Sequence, residues 1–253
     1  MKAFKGFLVV LLSGWIMIAC GGGGSSESEQ STGELSSQEQ AEIVAAALSA
    51  DQGGVGKDIE NIARPADMQA QAVASFELTV SADMTFYDAG NQPQAGYDPE
   101  TTDAIEYQSV IQGQFSSNIC YFQEYVIDNR SSFMATDLLS GTALIEGSHS
   151  NHSSYVRSAA FNDVEVHFNL ESDLTVVGLI VDLDAFDAIP EAGTIEGTIS
   201  GSYERSSSYN HITEEFYFHF TATYMGDNTA EIELSNGAFF SVHLGSGTVT
   251  ELE

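Results

Sequence analysis

The sequence predicts an all-β protein: an antiparallel meander of about ten strands, closed or partly open as a barrel and preceded by a short helix. Apolar and polar residues alternate in one segment after another from about residue 73 onward. Short stretches rich in Gly, Ser, Asn and Asp separate these segments and are typical of hairpin turns. The 253 residues are 43% hydrophobic, which is enough apolar surface for a packed core. A two-sheet β-sandwich is the alternative architecture.

The alternation is clearest in residues 76–86, where Phe76, Val80 and Phe86 fall on one face and polar residues on the other. A strand with this pattern buries one face and exposes the other to water. The pattern returns in the segments 105–115, 164–170, 216–223 and 231–244. Asn236-Gly237, inside the last of these, predicts a two-residue hairpin turn.

The segment 174–183 differs because it is apolar at nearly every position. Strict alternation would divide it into two apolar sets, Leu174, Val176 and Ile180 on one face and Val177, Leu179, Val181 and Leu183 on the other. We therefore expect this strand to be covered on both sides, on one of them by the N-terminal helix.

The polar faces of the strands carry Glu, Asp and His among Ser and Thr, and the chain ends in Glu251-Leu252-Glu253. A barrel embedded in a membrane needs a continuous apolar band on its outer surface. The pattern therefore favours a sheet exposed to water over a membrane barrel.

The N-terminus has the features of an export signal. Lys2 and Lys5 precede residues 6–19, which are nearly all apolar. A run of this length is typical of a signal-peptide core and is too short to span a membrane. The run ends at Met17-Ile18-Ala19-Cys20, and four glycines follow.

Residues 17–20 resemble the lipobox of bacterial lipoproteins, in which a small residue precedes an acylated cysteine; Met17 stands where Leu is usual. The resemblance implies cleavage before Cys20, fatty acylation of Cys20, and membrane lipid as the partner of the anchored protein. It also implies a location in the cell envelope. Because Gly21, and not Asp, follows the cysteine, the resemblance favours the outer membrane over the inner membrane.

Four regions are expected: a lipoprotein signal peptide over 1–19, the acylated cysteine with a flexible Gly/Ser tether over 20–37, a helical segment over 38–72, and an antiparallel β domain over 73–253. The tether is predicted from the run GGGGSSESEQSTGELSS, which has almost no apolar residue.

The helical segment is predicted to begin at a capping box, formed either by Ser36 with Glu39 or by Ser37 with Gln40. Its apolar stripe is short, so it should pack on the sheet. The stripe comprises Ile43, Val44, Ala47 and Leu48. Gly53-Gly54 should end the helix, and a further helical turn is expected in residues 58–63.

The charge balance excludes one class of partner. There are 7 Lys and Arg against 37 Asp and Glu, a formal net charge of −30. Such a field repels phosphates, so nucleic-acid binding is not expected. No phosphate-binding glycine loop or other cofactor motif occurs, so no cofactor is expected.

Six histidines are the main candidates for metal or acid–base chemistry. His149 and His152 are three residues apart in a Ser-rich stretch interpreted as a turn, with His167 and His211 elsewhere; solvated histidines are the favoured interpretation, and no metal site is predicted. A weak repeat relates residues 145–168 to 199–220 and places His167 and His219 in equivalent positions on polar faces. Exposed cross-strand residues are favoured there over a pair flanking Glu165.

Three other features receive structural interpretations. Asp182, Asp184 and Asp187 follow an apolar strand and are interpreted as turn or cap residues, because the spacing lacks the glycine and terminal Glu of a calcium loop. Cys120, between Ile119 and Tyr121, is interpreted as a buried small hydrophobe. The segment 197–201 only approaches the Gly-x-Ser-x-Gly pattern of hydrolases. No catalytic residues are predicted, and Cys20 is the one assigned modification site.

These observations favour a non-enzymatic binding or structural module anchored in the cell envelope, with an unidentified protein or small apolar ligand as partner. The alternative is a lipocalin-like or lipid-handling carrier of a small apolar ligand, because the aromatic residues could line a cavity. An envelope hydrolase is the third hypothesis. The aromatic residues concerned are Phe76, Phe86, Phe115, Phe168, Phe216, Phe218, Phe220 and Phe240.

Overall fold

The computed structural model describes residues 35–49, 54–65, 78–117, 122–159, 164–184, 190–207, 211–226, 228–244 and 247–252. The expected signal peptide, Cys20, most of the tether, Cys120 and Asp187 lie outside these residues. No helix among the described residues is long and apolar enough to cross a membrane.

Within the described residues, two α-helices are followed by eleven strands. The helices are α1 (Ser37–Leu48) and α2 (Val55–Ala63), and a 3-10 turn spans Leu138–Ser140. The strands are β1 (Leu78–Asp88), β2 (Pro93–Gln94), β3 (Thr102–Ser117), β4 (Phe122–Thr136), β5 (Thr142–Ala159), β6 (Val164–Asp182), β7 (Pro190–Ser206), β8 (His211–Gly226), β9 (Thr229–Leu234), β10 (Phe239–His243) and β11 (Thr248–Glu251).

The eleven strands form one antiparallel sheet in the order β11-β10-β9-β8-β7-β6-β5-β4-β3-β1-β2. Each strand from β3 onward pairs with the next along the chain, so the predicted all-β antiparallel meander is confirmed. The sheet is open. Strand β11 lies at one end and β1 and β2 lie at the other, and within the described residues no ladder joins the two ends. An open sheet is consistent with the partly open barrel and with the β-sandwich alternative, and no closed barrel is formed by the described residues.

Both helices pack on the same face of the sheet, which we call the inner face. Helix α1 contacts β9 and β11, and α2 contacts β3, β4 and β5. The capping box at Ser36 and Glu39 forms, with the Ser36 backbone N–H donating to Glu39 Oε2 over 2.9 Å. Helix α1 ends at Leu48, before the predicted stop, and Gly54 caps the start of α2 instead.

The core lies between the two helices and the inner face. Its apolar side chains are almost completely removed from water, and they come from the helices and from nearly every strand. The largest of them are Tyr107, Phe133, Phe240, Leu48, Ile59, Ile62, Ile105, Ile145, Leu174, Leu179, Ile195 and Ile199.

The expectation that residues 174–183 are covered on both faces is wrong. Val177 and Ile180 are exposed, by 45% and 37%, while Leu179 is fully buried. A β-bulge in the β5–β6 ladder, at which Gly178 adopts φ +59°, inserts an extra residue. The alternation is therefore reversed beyond the bulge. Strict periodicity assigns the residues after the bulge to the wrong faces of the strand.

The Ser-rich turn predicted around His149 is also wrong, because residues 148–155 lie in the middle of the 18-residue strand β5. In the second copy of the weak repeat, residues 199–220, the corresponding Ser-rich stretch does follow the end of a strand, because β7 ends at Ser206. The two copies of the repeat are therefore not structurally equivalent. His167 on β6 and His219 on β8 are separated by β7.

The central strands are long: β5, β6 and β7 have 18, 19 and 17 residues. A strand of that length extends about 60 Å. They run past the helices, so the far part of the inner face carries half-buried aromatic side chains. Two such pairs are Tyr125 with Tyr155, whose ring centroids are 4.6 Å apart, and Phe168 with Phe216, at 6.4 Å.

Candidate functional site

A polar cluster lies inside the core, between α2 and the inner face. We call it the Asp58 network; it comprises Asp58, Tyr107, Ser109, Ser131 and His149. Each of these residues is at least nine-tenths buried. Asp58 lies in the first turn of α2, where the helix dipole favours a carboxylate.

The Asp58 carboxylate accepts from four side chains on three strands. Tyr107 Oη donates to Oδ1 over 2.8 Å and Ser109 Oγ over 3.1 Å. Ser131 Oγ donates to Oδ2 over 2.6 Å, and His149 Nδ1 lies 3.1 Å from the same oxygen. A buried carboxylate needs such partners to remain charged, and here both oxygens have two.

These contacts determine the ionisation of the network. Burial raises the pKa of Asp58, but the hydrogen bonds from His149, Ser131 and Tyr107 outweigh burial and hold it below the ordinary value of 3.8. Burial and the Asp58 charge raise the pKa of Tyr107, so the phenol keeps its proton. Because a carboxylate only accepts, His149 Nδ1 carries a proton directed at the pair formed by Asp58 and Ser131.

Asp, His and Ser within hydrogen-bond reach are the residue types that a hydrolase would need, but the geometry is not that of a nucleophilic triad. In a triad the carboxylate holds Nδ1 while the serine lies on Nε2. Here Ser131 Oγ is 2.9 Å from His149 Nδ1, the same nitrogen that faces Asp58. Ser131 and His149 are also 6% and 5% exposed, which leaves a substrate no access. The network ties α2 to β3, β4 and β5.

The next row of the inner face is also polar. Asn129 on β4 is the direct cross-strand partner of Asn151 on β5, and Ser172 on β6 follows. The side-chain oxygens of Asn129 and Asn151 are buried without a hydrogen-bond partner. A buried amide oxygen without a hydrogen-bond partner destabilises the folded state. In this row of the inner face, the cost of burying the two oxygens is therefore not offset by hydrogen bonds.

The opposite, outer face of the sheet is polar and open to water. It carries a depression of about 260 Å³ over β4, β5 and β6. Within it, Arg130 donates from Nε and Nη2 to the two oxygens of Asp128, over 3.0 and 3.1 Å. His152 Nδ1 lies 2.9 Å from Glu171 Oε1. The outward-facing side chains that line the depression are those of Asp128, Arg130, Ser150, His152, Glu171 and Asp173.

The depression is continuous with rows of residues that cross the sheet. One row of direct cross-strand partners runs Asp128, His152, Glu171, Ser200, Tyr217, from β4 to β8. The adjacent row runs Arg130, Ser150, Asp173, Thr198, His219. Each row spans four strand spacings, or about 19 Å.

Among the described residues, Tyr217 is the most exposed large hydrophobic side chain, at 64%. Its ring packs edge-on against His219, with centroids 5.0 Å apart. Its Oη is 2.9 Å from His219 Nε2. The ring is thus fixed in orientation while it remains open to solvent.

The candidate histidines do not come together. His149 points into the core and His152 into the outer depression, because residues three apart on a strand face opposite sides. His167 lies 3.0 Å from Glu165, and His211 lies 3.8 Å from Glu204, both on the surface. Among the described residues, no group of three or more His, Cys, Asp or Glu could hold a metal ion.

The remaining candidates have local structural roles where they are described. Asp182 Oδ1 accepts from the backbone N–H of Asp184 over 2.8 Å, as expected of a turn residue. Residues 197–201 lie within strand β7, not in a strand-to-helix elbow. Cys20 and Cys120 lie outside the described part of the chain.

Sequence reasoning missed the Asp58 network, although signals were present. Asp58 falls on the apolar stripe of α2 with Val55 and Ile62, and Ser109 falls on the apolar face of β3. A polar residue at an inward position needs a partner.

Comparisons with protein-family models, curated proteins and solved structures returned no match.

Proposed function

We propose that this chain is a lipid-anchored, non-enzymatic binding module of the bacterial cell envelope. Acylation of Cys20 would fix it to the membrane, and the flexible tether would hold the sheet clear of the lipid headgroups. Gly21 after the cysteine supports the outer membrane as its location in a bacterium with two membranes.

The observation that carries the binding role is the contrast between the two faces of the sheet. The cluster of Asp58, His149 and Ser131 is sealed in the core, where no substrate reaches it. The outer face instead presents a solvent-open depression beside a fixed aromatic ring. Open, mixed polar and aromatic surfaces are suited to recognition.

Membrane anchoring is tested by metabolic labelling with an alkyne-bearing palmitate in a bacterial host. The native chain should be labelled and should fractionate with membranes, since two or more acyl chains give stable anchoring. Cys20→Ser should lose the label, whereas Cys120→Ser should keep it. Labelling that survives Cys20→Ser would overturn the proposal.

A second candidate, a carrier of a small apolar ligand, is favoured by the aromatic side chains on the far part of the inner face. Tyr125, Tyr155, Phe168 and Phe216 are only half buried there. A carrier should retain lipid after mild extraction of the full chain. A native mass spectrum that shows no lipid bound to the protein, other than the covalent acyl chains, would reject this candidate.

A further inference from the structure

The geometry points to the outer face of β4–β8 as a binding site for a neutral, extended oligosaccharide of hexoses. The site joins the outer depression to Tyr217. This inference rests on the proposed function, because it names the ligand class of the proposed binding face.

The first support is the aromatic ring. An exposed tyrosine normally has several orientations, but Tyr217 is held by both the edge-on packing and the hydrogen bond to His219. A pre-oriented ring loses little conformational entropy when a flat, C–H-bearing sugar face packs on it. Ser200 is its direct cross-strand neighbour, and this small side chain leaves the way to the depression open.

The second support is the chemistry of the depression. Sugar hydroxyls both donate and accept hydrogen bonds, and adjacent hydroxyls can bridge an acceptor and a donor. Asp128 with Arg130, and Glu171 with His152, are two such pairs of acceptor and donor. All four side chains are accessible, with exposures from 34% to 62%.

The third support is dimension. Tyr217 and Glu171 lie on the same row, two strands apart, so they are separated by about 10 Å. Adjacent strands are about 4.8 Å apart, a spacing close to that of successive hexoses in an extended chain. An oligosaccharide lying across the strands would therefore meet a new row position with each sugar.

The charge of the depression and of the whole chain disfavours anionic sugars. The depression contains the carboxylates of Asp128, Glu171 and Asp173 against a single guanidinium, and the whole chain has a net charge of −30. Sulfated or uronic-acid polymers would be repelled. A neutral polyol pays no such penalty and uses carboxylates as hydrogen-bond acceptors.

The test is calorimetric titration of the full chain, in detergent micelles, with cellohexaose, chitohexaose and maltohexaose, and with a heparin hexasaccharide as the anionic probe. We expect at least one neutral hexasaccharide to bind at millimolar concentration or better, and the heparin fragment not to bind. Absence of binding by all three neutral probes, or preference for heparin, would overturn the inference.

Two variants and two matched controls locate the site. Tyr217→Ala should weaken binding by up to about tenfold through loss of ring packing. Phe239→Ala, at an exposed aromatic residue of β10, should not change it. Glu171→Gln should weaken binding, while Glu233→Gln, at an exposed position of β9, should leave it unchanged. Equal effects of the site and control variants would place the sugar elsewhere.

The outcome separates this inference from the proposed function. A chain that is acylated at Cys20 and membrane-bound but binds no neutral hexasaccharide leaves the anchored module intact and removes the sugar site. A chain that is not acylated at Cys20 but binds a neutral hexasaccharide would keep the sugar site and remove the lipid-anchored module. The circular dichroism spectrum of each variant should match that of the native chain, which shows that reduced binding does not arise from unfolding.

Discussion

His149 Nδ1 lies 3.1 Å from Asp58 Oδ2, although 91 residues separate the two in the chain. The contact joins the first turn of α2 to the middle of β5 and passes beside Ser131, which bonds to both. Removal of the Asp58 charge would leave its buried donors without an acceptor, so the contact between α2 and the sheet depends on this carboxylate.

Replacing Asp58→Asn keeps the shape but removes the charge and turns one oxygen into a donor. Donors from Tyr107, Ser109, Ser131 and His149 would then face a single acceptor. We expect the free energy of unfolding to fall by about 2–4 kcal/mol, measured by urea titration. The exposed Asp83→Asn is the control and should change it by less than about 0.5 kcal/mol. Similar losses in both variants would contradict a special role for the network.

The pH dependence of stability should carry the signature of Asp58. Its folded-state pKa lies below the ordinary value of 3.8, so it contributes stability above the unfolded pKa and loses this contribution as pH falls through the folded pKa. The stability gap between the native chain and Asp58→Asn should therefore be constant above about pH 5 and should narrow as pH falls from there through the folded pKa. Urea midpoints across that range measure the gap. A gap independent of pH would show that the lost shape, and not the lost charge, causes the effect.

Two glycines at the β6 bulge should respond very differently to alanine. Gly178 has φ +59° with open space around an added Cβ, so Gly178→Ala should cost about 1 kcal/mol. Gly193 has φ +112°, and a Cβ there would lie 2.5 Å from Leu179 Cα. Gly193→Ala should therefore cost roughly 3 kcal/mol or more. Urea unfolding of both variants checks the order, and the reverse order would show that the bulge is built differently.

Salt should stabilise this protein. The net charge of −30 makes the folded state repel itself, and that repulsion is screened as the Debye length shortens from about 30 Å to about 8 Å. We expect Tm to rise with sodium chloride across this range, by roughly 2–4 °C for each kcal/mol of repulsion removed. Differential scanning calorimetry measures the rise. A constant or falling Tm would mean that like charges are already well separated on the surface.

Much of the sheet could be predicted because alternation is a local property. Residues 105–115 and 216–223 lie in strands as expected, and the Asn236-Gly237 turn joins β9 to β10. Strand β1, which lies next to the end of the sheet, shows where alternation fails: Phe86 is buried, but Val80 on the same face is 50% exposed. Periodicity indicates which residues share a face, but it does not show how far the helices extend over that face.

The candidate sites were less accessible to prediction because they depend on register. A glycine within a strand can mark a bulge, but Gly178 alone does not show that the faces of β6 reverse there. The Asp58 network needs a helix, three strands and their alignment before Asp58, Ser131 and His149 meet. The row from Asp128 to Tyr217 likewise exists only once five strands are aligned. One polar residue in a strand gives no indication of its neighbours across the sheet.

The pairing order also bears on how the chain reaches its native state. Beyond β3, each strand pairs with the strand that precedes it in the chain. The sheet can therefore form one hairpin at a time as the chain is synthesised, and each step closes only a short loop. Helix α1 is the exception, because it docks on β9 and β11, and Asn236 donates to Ser37 across 199 residues. Helix α1 can therefore dock only after β9 and β11 have formed, and a chain interrupted before β9 would lack the strands on which α1 packs.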